Sequence, residues 1–285
     1  MMSIDRLINL FVTITLIEMM VAVGLRVTFA EIIDTARNWR FVARAVVANY
    51  VLVPAVAIIL LLLFHAGPMV AAGFLVLAVC PGAPFGPPFA RIAHADVPAA
   101  VGLMVILAGS SAVLSPLLLS VLLPWLSGSE APQVAPLGLV GTLLITQLVP
   151  LLAGLLVNHW RPQLAARLVD PFERVSKFLN LGVVGLILAT QFQMLAEIRL
   201  MAFLGMLLLL AASLAIGWLM GGPDAELRKT MALTTALRNA GLGLVIVTGT
   251  FAGTPAATAT LAYGIFAVLG TLLVALWWGR QRAGA

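Results

Sequence analysis

Nine apolar runs succeed one another along this chain, at about 7–25, 42–64, 69–95, 98–123, 136–157, 174–194, 200–220, 228–252 and 256–278. A membrane-spanning helix takes about 20 predominantly apolar residues, so each run is long enough to cross a bilayer and little chain is left over for a soluble domain. The balance of side chains agrees: of 285 residues, 62% are apolar and 9% charged, against about a quarter charged in soluble domains. We therefore expect an all-α membrane protein with nine transmembrane helices. The first run carries Glu18 and lacks a small-residue cleavage pattern followed by a polar mature domain, so it reads as a retained span.

The basic residues set an orientation. Thirteen of the 16 Lys and Arg fall on one side of a nine-span arrangement, two (Arg6 and Arg199) on the other, and Arg238 inside a span. Positive charge marks the cytoplasmic side. The N-terminus is thus expected outside and the C-terminus in the cytoplasm, in a bacterial type of inner (plasma) membrane. Short basic loops between apolar runs suit orientation in the lipid bilayer and argue against nucleic-acid binding, despite a net charge of +5. Cys80 stands alone, and His65, His94 and His159 fall at run ends without metal-ligand spacing, so no metal centre or cofactor is expected.

Two runs are poorly made as continuous helices. The third contains Cys80-Pro81-Gly82-Ala83-Pro84-Phe85-Gly86-Pro87-Pro88, where four prolines remove amide donors; the eighth contains Arg238-Asn239-Ala240-Gly241-Leu242-Gly243. Broken backbone at membrane depth is tolerated only where protein or a water-filled cavity satisfies the freed groups. A pair of such breaks in corresponding positions of two halves points to a transporter binding site. Here each broken run follows two spans and precedes one, so 7–123 matches 174–278 with 136–157 left over. That odd separating span turns the second unit upside down, an inverted repeat with two crossed discontinuous helices.

Only Glu18 and Arg238 are formal charges well inside spans, and intramembrane charge is costly enough to mark function. Arg238 keeps its proton and needs a counter-charge, carbonyl dipoles or an anionic ligand. Half-helix N-termini at Pro87-Pro88 and after Gly241 add positive dipole ends to an anion pocket. Alternatively, Arg238 ties down the freed carbonyls of the two breaks, and the readings are compatible. Glu18 is a candidate for binding and releasing a proton during transport, or else a neutral acid hydrogen-bonded across a helix interface. Asn49, Asn180, Thr190, Gln191, Gln193, Thr234, Thr235 and Asn239 are candidates for lining the pocket or for joining helices. No HExxH, GxSxG, P-loop or intramembrane Asp pair is present, which argues against an enzyme and against a pump driven by ATP.

Two passages, Ala78–Leu119 and ALRNAGLGL at Ala236–Leu244, resemble the breaks of the bile acid:sodium symporter family. The resemblance covers almost the whole chain. It implies sodium-coupled organic anion transport by alternating access between a panel domain, here 7–25 and 136–194, and a core domain, here 42–123 and 200–278 with crossing helices 69–95 and 228–252. A tenth, N-terminal span of some members is expected to be missing. Where sodium-coupled members place Ser-Asn after the first break, this chain has Gly86-Pro87; a ligand Glu is matched by Thr234, the Gln of a Gln-Asn pair by Arg238, and a Gln of the second core span by Asn49. These changes remove oxygen ligands and add a fixed cation, so the usual sodium sites are expected to be absent, with Arg238 standing in for the bound ion. Movement of a small organic anion would then be uniport, exchange or proton coupling through Glu18 rather than sodium symport. The expected pocket comprises Arg238, Asn239, Thr234, Thr235, Gly86, Pro87, Asn49 and Gln191. A membrane sensor on the same fold, frozen by Arg238, is the alternative.

Overall fold

The computed structural model describes residues 4–127, 135–196 and 200–283, and among these every regular element is helical. In chain order they are α1 (Ile4–Arg26), α2 (Phe29–Arg37), α3 (Trp39–Val47), α4 (Val53–Leu63), α5 (Pro68–Ala78), α6 (Gly86–Ile92), α7 (Val97–Ser127), α8 (Pro136–Leu143), α9 (Val149–Trp160), α10 (Pro162–Ala196), α11 (Leu200–Met220), α12 (Ala225–Ala236), α13 (Ala240–Thr250) and α14 (Pro255–Ala283). Seven stretches among the described residues are long and apolar enough to cross a membrane: Arg6–Arg26, Trp39–Leu63, Val97–Leu126, Pro136–Trp160, Leu200–Met220, Ala225–Thr250 and Ala256–Gln281. Two of the nine expected runs take a different form. The run at 69–95 splits into α5 and α6, and the run at 174–194 is the distal part of α10, a 35-residue helix. Its charged first half, beginning at Pro162, is invisible to hydropathy yet continues the same helix.

The connector after α1 also folds. Thr28 accepts from the Glu31 amide while Glu31 accepts from the Thr28 amide, a reciprocal cap that starts α2. This helix lies on α7 at Gly102, where Thr35 occupies the space that a side chain would need.

Prolines shape two further spans. In both Leu52-Val53-Pro54 and Leu148-Val149-Pro150 the proline lacks an amide for the carbonyl four residues back. The helix widens just before it into a π turn, at Ala48–Leu52 and at Leu144–Leu148, with Val53 donating to the Ala48 carbonyl and Val149 to that of Leu144. Asn49 and Gln147, both wholly buried, sit in these turns.

The broken helices pack against each other: α5 runs beside α13, and α6 beside α12. At one end Lys229 Nζ donates to the Ala93 carbonyl (3.1 Å) and Thr230 to that of Asp96 (2.9 Å). α5 is held from its other side by α14, where Thr260 donates to the Gly73 carbonyl at 3.0 Å. α1 packs against α9, α10 and α13.

Lipid offers helices little hydrophobic reason to associate, so close backbone approach carries the packing. At the α1–α9 contact a Cβ on Gly24 would stand 2.9 Å from the Gly154 Cα and would overlap the Leu151 carbonyl. Gly24→Ala must push these helices apart and is expected to cost about 1–3 kcal/mol, read as a lower unfolding temperature in detergent. Gly138→Ala, with open space around the added methyl, should leave that temperature unchanged or raise it.

Candidate functional site

The site is built from the two unwound segments. After Ala78 the chain leaves the helix, and Gly82 adopts φ +85°, a conformation that side chains disfavour, at a place where an added Cβ would overlap the backbone of Ala108 of α7. Ser115 of α7 donates to the Val79 carbonyl at 2.6 Å. In the second break Leu237 is extended (φ −79°, ψ 127°) and the Arg238 carbonyl accepts from the Ala240 amide at 2.9 Å. The breaks touch directly, because the Asn239 amide donates to the Cys80 carbonyl at 2.8 Å. Asn239 also caps α13, its Oδ1 accepting from the Leu242 amide at 3.1 Å.

Arg238 projects from this junction into the protein. It is 2% exposed, and none of its three guanidinium nitrogens has a hydrogen-bond partner among the described residues. Its ionisable neighbours are Tyr263 of α14, Cys80 and Tyr50. Tyr263 is wholly buried; its hydroxyl lies toward Ser213, which donates to the Leu209 carbonyl at 2.7 Å, and it too has no hydrogen-bond partner among the described residues. The same holds for the Asn239 Nδ2.

Several expected pocket residues do gather here. Asn49 Nδ2 donates to the Ala45 carbonyl (2.9 Å) and reaches Thr235 Oγ1 (3.4 Å), leaving its Oδ1 unpartnered among the described residues. Thr234 and Gly86, far apart in sequence, face each other: a Cβ on Gly86 would stand 3.2 Å from the Thr234 methyl. The Thr234 hydroxyl turns away and donates to the Thr230 carbonyl at 2.8 Å. Pro87, half-buried, begins α6 beside Gly86.

Others are placed elsewhere. Glu18 is half-buried on α1 and accepts a hydrogen bond from Ser176 of α10. α1 instead turns Met19 and Leu16 toward Gly241, at 3.1 and 3.6 Å from a Cβ built there. The side chains of Gln191 and Gln193 lie outside the described residues, Asn180 donates to the Ser176 carbonyl and Thr190 to that of Leu186, each within α10. His65 and His94 occupy left-handed positions at helix ends (φ 49° and 51°), and His159 packs edge-on against Phe29. Among the described residues no group of three or more His, Cys, Asp or Glu could hold a metal.

Three polar residues near the crossing escaped the sequence reading. Tyr263 and Tyr50 look like core aromatics; Tyr50 bonds the Leu107 carbonyl (3.0 Å) and Ser110 (2.9 Å). Gln147 donates to the Ala108 carbonyl and to Ser111 (3.0 Å), on the α7 turn that abuts Gly82. The repeated Leu-Val-Pro after an amide-bearing turn was the available signal for both Asn49 and Gln147.

Comparison with known proteins adds the lineage. The chain is 24% identical over 281 residues to the "Uncharacterized sodium-dependent transporter YocS" of Bacillus subtilis (strain 168), an alignment covering 96% of this chain and 84% of that protein. Residues 13–217, the first broken helix included, match the profile of the Sodium Bile acid symporter family. With its apolar helices and broken third run, this integral membrane transporter belongs to the sodium bile acid symporter family.

Proposed function

We propose that the protein is a secondary transporter of a small organic anion that moves its substrate by alternating access without the family's sodium sites. The observation that carries this reading is the guanidinium of Arg238, buried where the two helix breaks meet. A fixed positive charge at that depth attracts an anion, and the α13 N-terminus beside it adds to the same potential.

In this reading α5–α6 count as one span and α10 as another, giving nine, with 7–123 and 174–278 as inverted repeats. The panel domain is 7–25 and 136–194, the core 42–123 and 200–278, and the substrate lies between them against Arg238, Asn239, Thr234, Thr235, Gly86, Pro87, Asn49 and Gln191. The N-terminus is outside and the C-terminus cytoplasmic. Gln147 then reaches from panel to core, and Asn9, donating to Thr248 at 3.0 Å, does the same.

Loss of sodium binding follows from side-chain chemistry. Sodium needs a shell of oxygens, but Gly86 and Pro87 carry no side-chain oxygen, and Thr234 offers a methyl toward Gly86. A second cation 4 Å from Arg238 would be repelled by about 4 kcal/mol at an effective dielectric near 20. Transport is then uniport, exchange, or proton coupling at Glu18, a mid-span carboxylate whose Oε1 has no partner among the described residues.

Uptake into proteoliposomes should proceed equally with and without an imposed sodium gradient; strict sodium dependence would refute the reading, and ligand binding without any flux would mark a sensor instead. Arg238→Gln alone should abolish uptake without creating sodium dependence, because Thr234 and Gly86 still lack ligands. Sodium-driven uptake by that single mutant would show the site to be misassigned.

A further inference from the structure

One helix is far longer than the bilayer requires. α10 runs for 35 residues, about 52 Å at 1.5 Å per residue, against a hydrocarbon core of about 30 Å. The surplus lies at its basic end. Glu173 pairs with Arg26, the last residue of α1, and Asn158, near the end of α9, donates to the Val27 carbonyl at 2.8 Å. Those contacts place Glu173 at the membrane boundary, so the turns from Pro162 to Phe172 lie at the level of the lipid headgroups. Ala165 is wholly buried, which holds these turns against the protein instead of letting them extend into water.

Leu164, Arg167, Pro171, Arg174, Phe178 and Leu181 recur at intervals of three and four residues, a single stripe of the helix. All six are exposed, Phe178 by 76% and Leu181 by 69%. The other side of α10 is turned inward: Glu173 and Ser176 bond to α1, and Val183 and Ile187 are buried. The outward stripe thus presents two guanidinium groups and then, deeper in the bilayer, two large apolar side chains. A phospholipid has the same order, its phosphate lying above its chains. Arg161 and Lys177 are exposed too, and Asp170 is the exposed carboxylate of this half of the helix. Among the described residues the ion pairs are Arg26 with Glu173 and Arg37 with Asp34, and none of these four cations takes part in them. Four positive charges against one negative select an anionic headgroup over a zwitterionic one. Trp160, exposed at the same boundary, is the aromatic type that anchors at headgroup level.

We propose that the outward stripe of α10 binds an anionic phospholipid on the basic side of the bilayer, with Arg167 and Arg174 at its headgroup and Phe178 and Leu181 along an acyl chain. This surface does not involve Arg238 and stands apart from the transport reading. A lipid bound there ties the charged turns of α10 to the headgroup layer and so steadies the contact between α10 and α1.

The test is thermal unfolding of the purified full-length protein in detergent, titrated with phosphatidylglycerol or with phosphatidylcholine of the same chains. A ligand that binds only the folded state raises the unfolding temperature with its concentration. Phosphatidylglycerol should raise it and phosphatidylcholine should not. The double variant Arg167→Gln/Arg174→Gln, altered at exposed positions only, should unfold at the wild-type temperature in detergent alone. It should need about thirtyfold more phosphatidylglycerol for the same rise, the share of two basic residues in attraction to an anionic lipid surface. Arg40→Gln/Arg44→Gln, exposed but outside the stripe, should show the wild-type rise. Should the α10 double variant not fold, Phe178→Ala decides the matter: it leaves every charge in place and should weaken the response, and an unaltered response would overturn the proposal. Equal rises with both lipids, or an equal loss in both double variants, would overturn it by reducing the effect to the membrane environment or to overall charge. An equal rise with inorganic phosphate would overturn it in favour of a free-anion site. A dimer that the α10 double variant dissociates, with no effect of phosphatidylglycerol, would overturn it by giving this face to a second copy of the chain.

Discussion

One hydrogen bond, from the Asn239 amide to the Cys80 carbonyl, joins the two places where the membrane helices come apart. Unwound backbone inside a bilayer has no water to turn to, and each orphaned group costs several kcal/mol in hydrocarbon. The breaks are therefore affordable only together. Around that bond several freed backbone groups find partners nearby: Val79 with Ser115, Leu242 with the Asn239 side chain, Arg238 with Ala240. The packing of α5 on α13 and of α6 on α12 follows from bringing the breaks into register.

α7 serves as the floor of this junction. Its turn at Leu107–Ser111 meets Gly82 on one side, Tyr50 on a second and Gln147 on a third. Both latter residues come from π turns opened by a proline, so a defect in one helix supplies the polar group that a neighbouring helix uses. Prolines thus act twice in this fold, once by breaking a helix outright at Pro81 and Pro84, and once by widening a helix without breaking it at Pro54 and Pro150.

Much of this was legible in advance, and for physical reasons. The first break was visible because proline and glycine act on the local backbone, whatever surrounds them; the second falls at Leu237–Asn239, so that α13 begins at Ala240 and not after Gly241, and both Gly241 and Gly243 are helical. Gly86 faces Thr234 and Asn49 reaches Thr235, so residues singled out far apart in the sequence lie next to one another. Less accessible were α2, whose capping box lies between two apolar runs, and the charged half of α10. The direction of Glu18 was also hidden: a carboxylate in an apolar run is conspicuous, but which neighbour it meets depends on the rotation of α1, and that rotation turns it toward Ser176.

The sequence by itself determined that the chain lives in a membrane, that its helices break at two places, and that a permanent positive charge sits in one of the breaks. Those properties follow from hydropathy, proline chemistry and the basicity of arginine, all of which act within a few residues. Only the tertiary structure decided which groups that charge would meet. Tyr263, Tyr50 and Cys80 come from three separate segments, and burial of their polar atoms beside Arg238 depends on how α4, α5, α12 and α14 pack. Pairing between distant side chains is set by helix rotation and close backbone approach, which no local pattern encodes.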